Sequence, residues 1–390
     1  MSAHFQIAER LQKLPPYLFA EIDKKKKAAI AAGRDVINLG VGDPDSPTPQ
    51  FVIDALYKHA KNPATHQYAL DNGSPELRGA AARWMKKRFG VELSPDGGIY
   101  PIIGSKEGIA HFPLAYIDPG DAALIPEPGY PPYRSGTVFA GGEPVMMPLL
   151  AKNGFLPDLG AIKPADAERA KVIYVNYPNN PTGAVADASF YKELLAFAGK
   201  YDLIVVSDVA YSELAFDGFE PVSLLSIPGA MERVIEFHSF SKTFNMTGWR
   251  VGFAAGSTEL CGALGKVKTN VDSGIFTAIQ LAAVEALNRY DEFVAPLRDM
   301  YQKRRDVFCE GLAKLGLAVQ KPRGGFYVWF PTPKGLKSAD AATRILEEAD
   351  IVVTPGIGFG PSGEGYLRAT LTVPEKRLAE AVERIGRIKW

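Results

Sequence analysis

Val234-Ile-Glu-Phe-His-Ser239-Phe-Ser-Lys242-Thr-Phe-Asn-Met-Thr-Gly-Trp-Arg250-Val-Gly252 begins as an apolar run and turns into a hydroxyl-rich loop, with a lysine near its start and an arginine near its end. A lone lysine is most often a surface charge. Here Ser239, Ser241 and Arg250 supply the donors that a phosphate dianion needs, the guanidinium being able to bind two oxygens together. Upstream, Leu203-Ile-Val-Val-Ser-Asp208 ends a second apolar run on a carboxylate, which read alone is a helix cap or loop acid. Gly104-Ser105-Lys106-Glu107-Gly108 follows a third such run and opens a helical stretch, where backbone N–H groups can cradle an anion. Each element is weak alone. Their joint order is the signal.

Outward from this core, apolar runs recur at Ile99–Ile103, Ala122–Ile125, Lys171–Asn176, Leu203–Asp208, Val234–Phe237 and Val251–Ala255, with helical stretches between. Several are apolar at every position rather than alternating. That pattern predicts an α/β fold whose mainly parallel sheet is covered by helices on both faces. The polar motifs fall at the carboxyl ends of these strands, where such folds gather their chemistry. Pro75–Phe89 carries helical periodicity, with Ser74 as its cap and Pro75 in its first turn. Helices are also expected over Phe51–Ala60, Thr277–Leu287, Leu297–Leu315 and Glu375–Ile388. Short strands are expected around Phe326–Phe330 and Ile351–Thr354, making a smaller α+β lobe that the N-terminal segment completes. The division expected is 1–45 joining the small domain, 46–285 as the large domain and 286–390 as the small one.

At 390 residues the chain is long for a single core. Lys+Arg and Asp+Glu both total 44, so no basic footprint for nucleic acid exists. The run Lys24–Lys27 reads as a solvated helix face. Cys261 and Cys309 are the two cysteines, far apart and without metal spacing, so neither a disulfide framework nor a metal site is expected and a cytoplasmic setting fits. Met1–Arg10 lacks a secretory pattern, and no apolar run reaches membrane-spanning length, so no membrane partner is expected.

Together with Asn176-Tyr-Pro-Asn-Asn-Pro-Thr-Gly183 and Asp208-Val-Ala-Tyr211, the Ser-Phe-Ser-Lys242 motif with Arg250 resembles the fold type I, aspartate-aminotransferase superfamily of pyridoxal-phosphate enzymes. The match runs along nearly the whole chain. It implies a large domain built on a three-layer, mainly parallel seven-stranded sheet with a smaller α+β domain beside it. It further implies that Lys242 bonds the aldehyde of pyridoxal 5'-phosphate, that Asp208 pairs with the pyridinium nitrogen, and that Tyr211 and Asn180 hydrogen-bond the phenolic oxygen. Tyr130, in Glu-Pro-Gly-Tyr-Pro-Pro-Tyr, resembles the residue stacked on the ring. Ser105, Lys106, Ser239, Ser241 and Arg250 would form the phosphate cup, joined by Tyr68 from a neighbouring subunit, which implies a homodimer. Arg368 resembles the arginine that grips the substrate α-carboxylate.

Gly40-Val-Gly-Asp-Pro-Asp45, Ile103-Gly-Ser-Lys-Glu-Gly-Ile-Ala110, Phe237–Arg250 and Lys266-Val-Lys-Thr-Asn-Val-Asp-Ser-Gly274 are similar to the LL-diaminopimelate aminotransferase family, especially its shorter branch. That implies transamination between LL-2,6-diaminopimelate plus 2-oxoglutarate and tetrahydrodipicolinate plus glutamate, toward lysine. Tyr17, Gly42, Lys106, Tyr130, Asn180, Arg368 and, from the second subunit, Asn270 would line the substrate pocket. Gly-Asp-Pro-Asp stands where the longer branch often has Gly-Asp-Thr-Thr. Other class I/II aminotransferases acting on aspartate, alanine or valine, and C–S lyases, share the scaffold. A pyridoxal-phosphate-binding regulator would need a basic winged-helix segment ahead of the Gly-x-Gly loop, which this sequence reaches by residue 42.

Overall fold

A computed structural model describes residues 5–14, 19–69 and 72–390. In chain order its strands are β1 Ile37–Asn38, β2 Ile99–Ile102, β3 Ala122–Glu127, β4 Glu143–Pro148, β5 Ala170–Asn176, β6 Ile204–Asp208, β7 Val234–Ser239, β8 Gly252–Gly256, β9 Tyr327–Pro331, β10 Ile351–Val352, β11 Thr354–Pro355 and β12 Tyr366–Thr370. Seven of them form one sheet in the order β2-β8-β7-β6-β5-β3-β4. β8 lies antiparallel to both neighbours, and the remaining pairs are parallel.

β5 shows why its sequence is apolar at nearly every position. Successive side chains of a strand point to opposite faces. Val172 and Tyr174 pack with Ile109, Phe112, Tyr133 and Leu264 on one face, while Ile173 and Val175 pack with Trp84, Phe190, Leu194 and Ala282 on the other. Each large side chain so buried contributes about 1.5–3 kcal/mol over exposure. Two helical layers therefore sandwich the sheet, as the unbroken apolar runs require. β4 was not legible as a strand: Pro144 and Pro148 punctuate it. It survives because it is an edge strand, where a missing N–H costs no ladder bond.

The second core surrounds the antiparallel sheet β11-β12-β9. Helices Tyr290–Lys314, Ser338–Ala349 and Glu375–Gly386 supply its cover, with Phe308, Leu312, Ile345, Leu378 and Ile385 buried. The first of these starts earlier than Leu297 and continues through Pro296, because Val294 and Leu297 on either side are both buried and hold it to the core. The expected Ile351–Thr354 strand is two short ones, β10 pairing with β1 and β11 with β12. The β1–β10 pairing fastens the N-terminal segment to this second core. Helix Pro75–Phe89 begins where expected, Ser74 Oγ accepting the Leu77 N–H at 3.2 Å. Among the described residues no helix is long and apolar enough to cross a membrane.

Candidate active site

The parallel register brings Asn176 beside Asp208, and Asp208 beside Phe237, so the ends of β5, β6 and β7 are level. They open onto a cleft of about 1330 Å³. At its floor Asn176 Nδ2 donates to the Asp208 carbonyl at 2.8 Å, and its Oδ1 accepts the Asn180 N–H at 2.8 Å. One buried amide thus fastens the Asn-Pro loop to the acid-bearing strand. The Asp208 side chain is buried, Oδ2 accepting from the Tyr133 hydroxyl at 2.8 Å and Oδ1 from the Ala210 N–H at 3.3 Å. Burial pushes this carboxyl up to about 6, against the pull of those two donors and of His238. It is an acid held in low dielectric, ready for a cationic partner.

Lys242 lies in the helical turn Phe240–Thr243, which Ser239 caps by accepting the Ser241 N–H at 3.2 Å. Its Nζ donates to the Gly42 carbonyl at 2.7 Å. Burial pulls the ammonium down to about 8, opposed by Asp43 and reinforced by Arg250 and Arg368. Ser105, Lys106, Ser239, Ser241 and Arg250 all line the same cleft. Arg250 has a left-handed backbone, φ 54, and its Nη1 and Nη2 donate to the carbonyls of Thr247 at 2.9 Å and Ile103 at 3.4 Å. Such backbone strain in a non-glycine residue clusters at functional sites. Opposite it, Gly104 has φ 76, and a β-carbon there would come within 2.6 Å of Arg250 Nη2, so only glycine lets the guanidinium close over the loop. Glu107 braces that loop from behind, its Oε2 accepting the Ile103 N–H and the buried Lys268 ammonium, both at 2.9 Å.

Arg368 comes from β12, in the second core. Its Nη1 donates to Asn180 Oδ1 at 3.0 Å and Nη2 to the Gly40 carbonyl at 2.7 Å, and the guanidinium lies over the Tyr327 ring at 4.2 Å and the Phe359 ring at 4.7 Å. It is buried, and among the described residues its Nε has no hydrogen-bond partner and none of its contacts is a carboxylate. A buried cation without a counter-charge is a receptor for an anion.

The family model "Aminotransferase class I and II" matches residues 34–385. The chain belongs to the class I and II aminotransferases. Among relatives of this aminotransferase is the LL-diaminopimelate aminotransferase of Syntrophobacter fumaroxidans, 54% identical over 99% of this chain and 100% of that one. Proteins of the same name from Moorella thermoacetica (51% identical, 98% of each chain) and Aquifex aeolicus (52%, 99% of this chain and 100% of that one) are also similar. Of solved structures, substrate-bound BacF from Bacillus subtilis superposes with a TM-score of 0.95 at 38% identity, covering 98% of each chain. A single mutant of Thermus thermophilus aspartate aminotransferase gives 0.93 at 32% identity, over 98% of this chain and 100% of that one. The fold is accordingly the α/β fold type I architecture.

In this aminotransferase Lys242, Asp208, Tyr211, Asn180, Tyr130, Ser105, Lys106, Ser239, Ser241, Arg250, Gly42 and Arg368 converge on one cleft. Tyr68 is 91% exposed, and Asn270 is exposed with its Nδ2 turned to the Lys266 carbonyl; neither lines its own chain's cleft. Tyr17 lies outside the described residues. The Lys24–Lys27 run is more than a solvated face. Helix Phe19–Ala31 carries Asp23, Lys24, Lys26 and Lys27 to the cleft wall, where the long packing distance from the motifs kept them hidden in sequence. Tyr133, Tyr327 and Phe359 were not read from sequence either. For Tyr133 a signal existed: it is three residues after Tyr130, one helical turn along the same face.

Proposed function

We propose that this chain is a pyridoxal-phosphate-dependent LL-2,6-diaminopimelate:2-oxoglutarate aminotransferase. The observation that carries the reading is one cleft holding Lys242, Asp208 and Arg368, in a chain about half identical, along its full length, to proteins of that name.

The residues present fit the cofactor. Asp208 is a buried carboxylate whose contacts are neutral hydroxyl and N–H donors, suited to a protonated ring nitrogen. Ser105, Ser239, Ser241, Lys106 and Arg250 suit its phosphate. Bound pyridoxal phosphate supplies an electron-poor ring that accepts the electron pair left when an amino acid loses its Cα proton. The chain supplies the rest. Asp208 would hold a proton at the ring nitrogen. Lys242, desolvated so that its neutral amine is accessible near neutral pH, would hold the cofactor through its aldehyde carbon and, once the substrate amine has taken its place there, would be free to move the proton at the substrate Cα. Arg368 binds the α-carboxylate through two nitrogens, and its ring platform, Tyr327 and Phe359, with Asn180 beside it, fixes the angle of approach. Tyr211 and Asn180 would hydrogen-bond the ring's phenolic oxygen, and Tyr130 would stack on the ring; all three line the cleft. Gly42 and Lys106 belong to the substrate pocket, with 46–285 as the cofactor-binding domain.

The enzyme works as a homodimer in this reading. Exposed Tyr68, Val271 and Phe276 support it, since apolar side chains at 91%, 54% and 42% exposure gain from a covering surface. Tyr68 and Asn270 would then complete the partner's cleft, and sedimentation should give a dimer.

The deciding experiment incubates purified protein with cofactor and follows glutamate formation from diaminopimelate and 2-oxoglutarate. Single turnovers over a panel of amino acids should convert the cofactor fully to its amine form with diaminopimelate. Release of pyruvate and ammonia from cystathionine instead would mark a lyase. Lys242→Ala should bind cofactor without the imine absorbance and lose turnover.

A further inference from the structure

We infer that Tyr133 is a positioning residue that sets how firmly the active-site acid keeps the cofactor's ring nitrogen protonated. The inference rests on the reading above, in which Asp208 faces that nitrogen.

Among the described residues, the Tyr133 hydroxyl is the one side-chain donor on the Asp208 carboxylate, at 2.8 Å on Oδ2. Oδ1 takes only the longer Ala210 N–H at 3.3 Å, so Oδ1 is the oxygen left for the ring. Tyr133 is fully buried, its ring held from two sides and its backbone tied within the helix. Its ring stacks on Tyr174 with centroids 5.0 Å apart, its backbone carbonyl accepts the Thr137 hydroxyl at 2.8 Å, and Tyr130 meets it edge-on at 5.8 Å. The hydroxyl therefore cannot swing away. Burial raises its own pKa, and the neighbouring carboxylate adds to that, so it stays a neutral donor.

A donor on a carboxylate stabilises the ionised form. When the carboxylate shares one proton with a pyridine nitrogen, stabilising the carboxylate leaves the proton on nitrogen. Without Tyr133 the balance moves toward a neutral acid and a neutral ring, which accepts the Cα electron pair poorly. Tyr133 also ties the acid to the helix Pro131–Phe139, whose N-cap is Tyr130. The stacking residue and the charge partner of the ring are thus set by one helix. His238, Tyr130 and Tyr211 are the other titratable groups felt by Asp208 or feeling it, and none is hydrogen-bonded to its carboxylate.

Tyr133→Phe keeps the ring and removes the bond. In cofactor-free protein, carbon NMR of labelled aspartate, assigned with Asp208→Asn, should show the Asp208 midpoint rise by about 1–2 pH units, the equivalent of about 10–100-fold for a hydrogen bond to a charged group. In loaded enzyme, the amino-acid half-reaction should slow by about 10–100-fold with KM within about threefold, and the isotope effect from Cα-deuterated substrate should grow. In an Asp208→Asn background the same change should do nothing further, whereas a structural role would subtract again. If Tyr133→Phe fails to fold, 3-fluorotyrosine at 133, a stronger donor, should lower the Asp208 midpoint instead. An unmoved midpoint, or equal losses in both backgrounds, overturns the inference while the aminotransferase reading stands. A wild type that takes up no cofactor overturns both, and the midpoint still reports the Tyr133–Asp208 bond.

Discussion

Replacing Gly42 by alanine is a one-carbon test of how the cleft is packed. A β-carbon at 42 would lie 2.0 Å from the Tyr327 hydroxyl oxygen and 2.6 Å from the ring carbon that bears it, against 3.4–4 Å for ordinary contact. Tyr327 must therefore retreat by more than an ångström. That ring is the platform under Arg368 at 4.2 Å, and its hydroxyl is 3.2 Å from that of Tyr211, so the proposed carboxylate clamp and the proposed cofactor contact move together. Misplacement on this scale costs about 10²-fold, which is about 2.7 kcal/mol of transition-state stabilisation. Steady-state kinetics on diaminopimelate should thus show kcat/KM down by about 10²-fold. Adding Tyr327→Phe should not rescue it, because the ring carbon itself is too close. Gly262→Ala, in helix Thr258–Lys268 with nothing within 4 Å of the new carbon, is the control and should be silent. A Gly42→Ala enzyme within threefold of wild type would refute the packing argument.

Three further outcomes are expected. Arg368→Lys keeps the charge but loses the planar fork, so KM for the amino acid should rise and kcat/KM fall by about 10²-fold, with cofactor affinity unchanged by titration. If, as proposed, the cofactor bonds a neutral Lys242, its rate of uptake by cofactor-free protein should climb with pH and level off above about 8 rather than near 10.5. The same depressed value means that the unfolded chain binds a proton that the fold lacks between about 8 and 10.5, so cofactor-free stability should rise with pH across that window. Urea melts should lose that slope in Lys242→Met. Ser74→Ala removes the cap of helix Pro75–Phe89 and should cost about 1 kcal/mol by the same melts, with kcat unaltered.

Much of this molecule is local chemistry written along the chain. Apolar runs closing on Asn176, Asp208 and Ser239, the hydroxyl-lysine-arginine loop, and the Ser74–Pro75 cap follow from periodicity and turn preferences, which act over a few residues. Those signals carried the sheet and the residues at the ends of its strands. Other features depend on segments far apart in sequence. Arg368 becomes a clamp only because Gly40, Asn180, Tyr327 and Phe359 arrive from four places, and Tyr133 meets Asp208 only because a helix on one face of the sheet presses its ring toward the end of β6. Lys24 and Lys27 are the solvent-facing charge that the sequence suggests, but only the fold shows that their helix also runs along the cleft. Residue order determined which groups could do the chemistry. Close packing of distant side chains, invisible to any local pattern, decided which neighbours tune them.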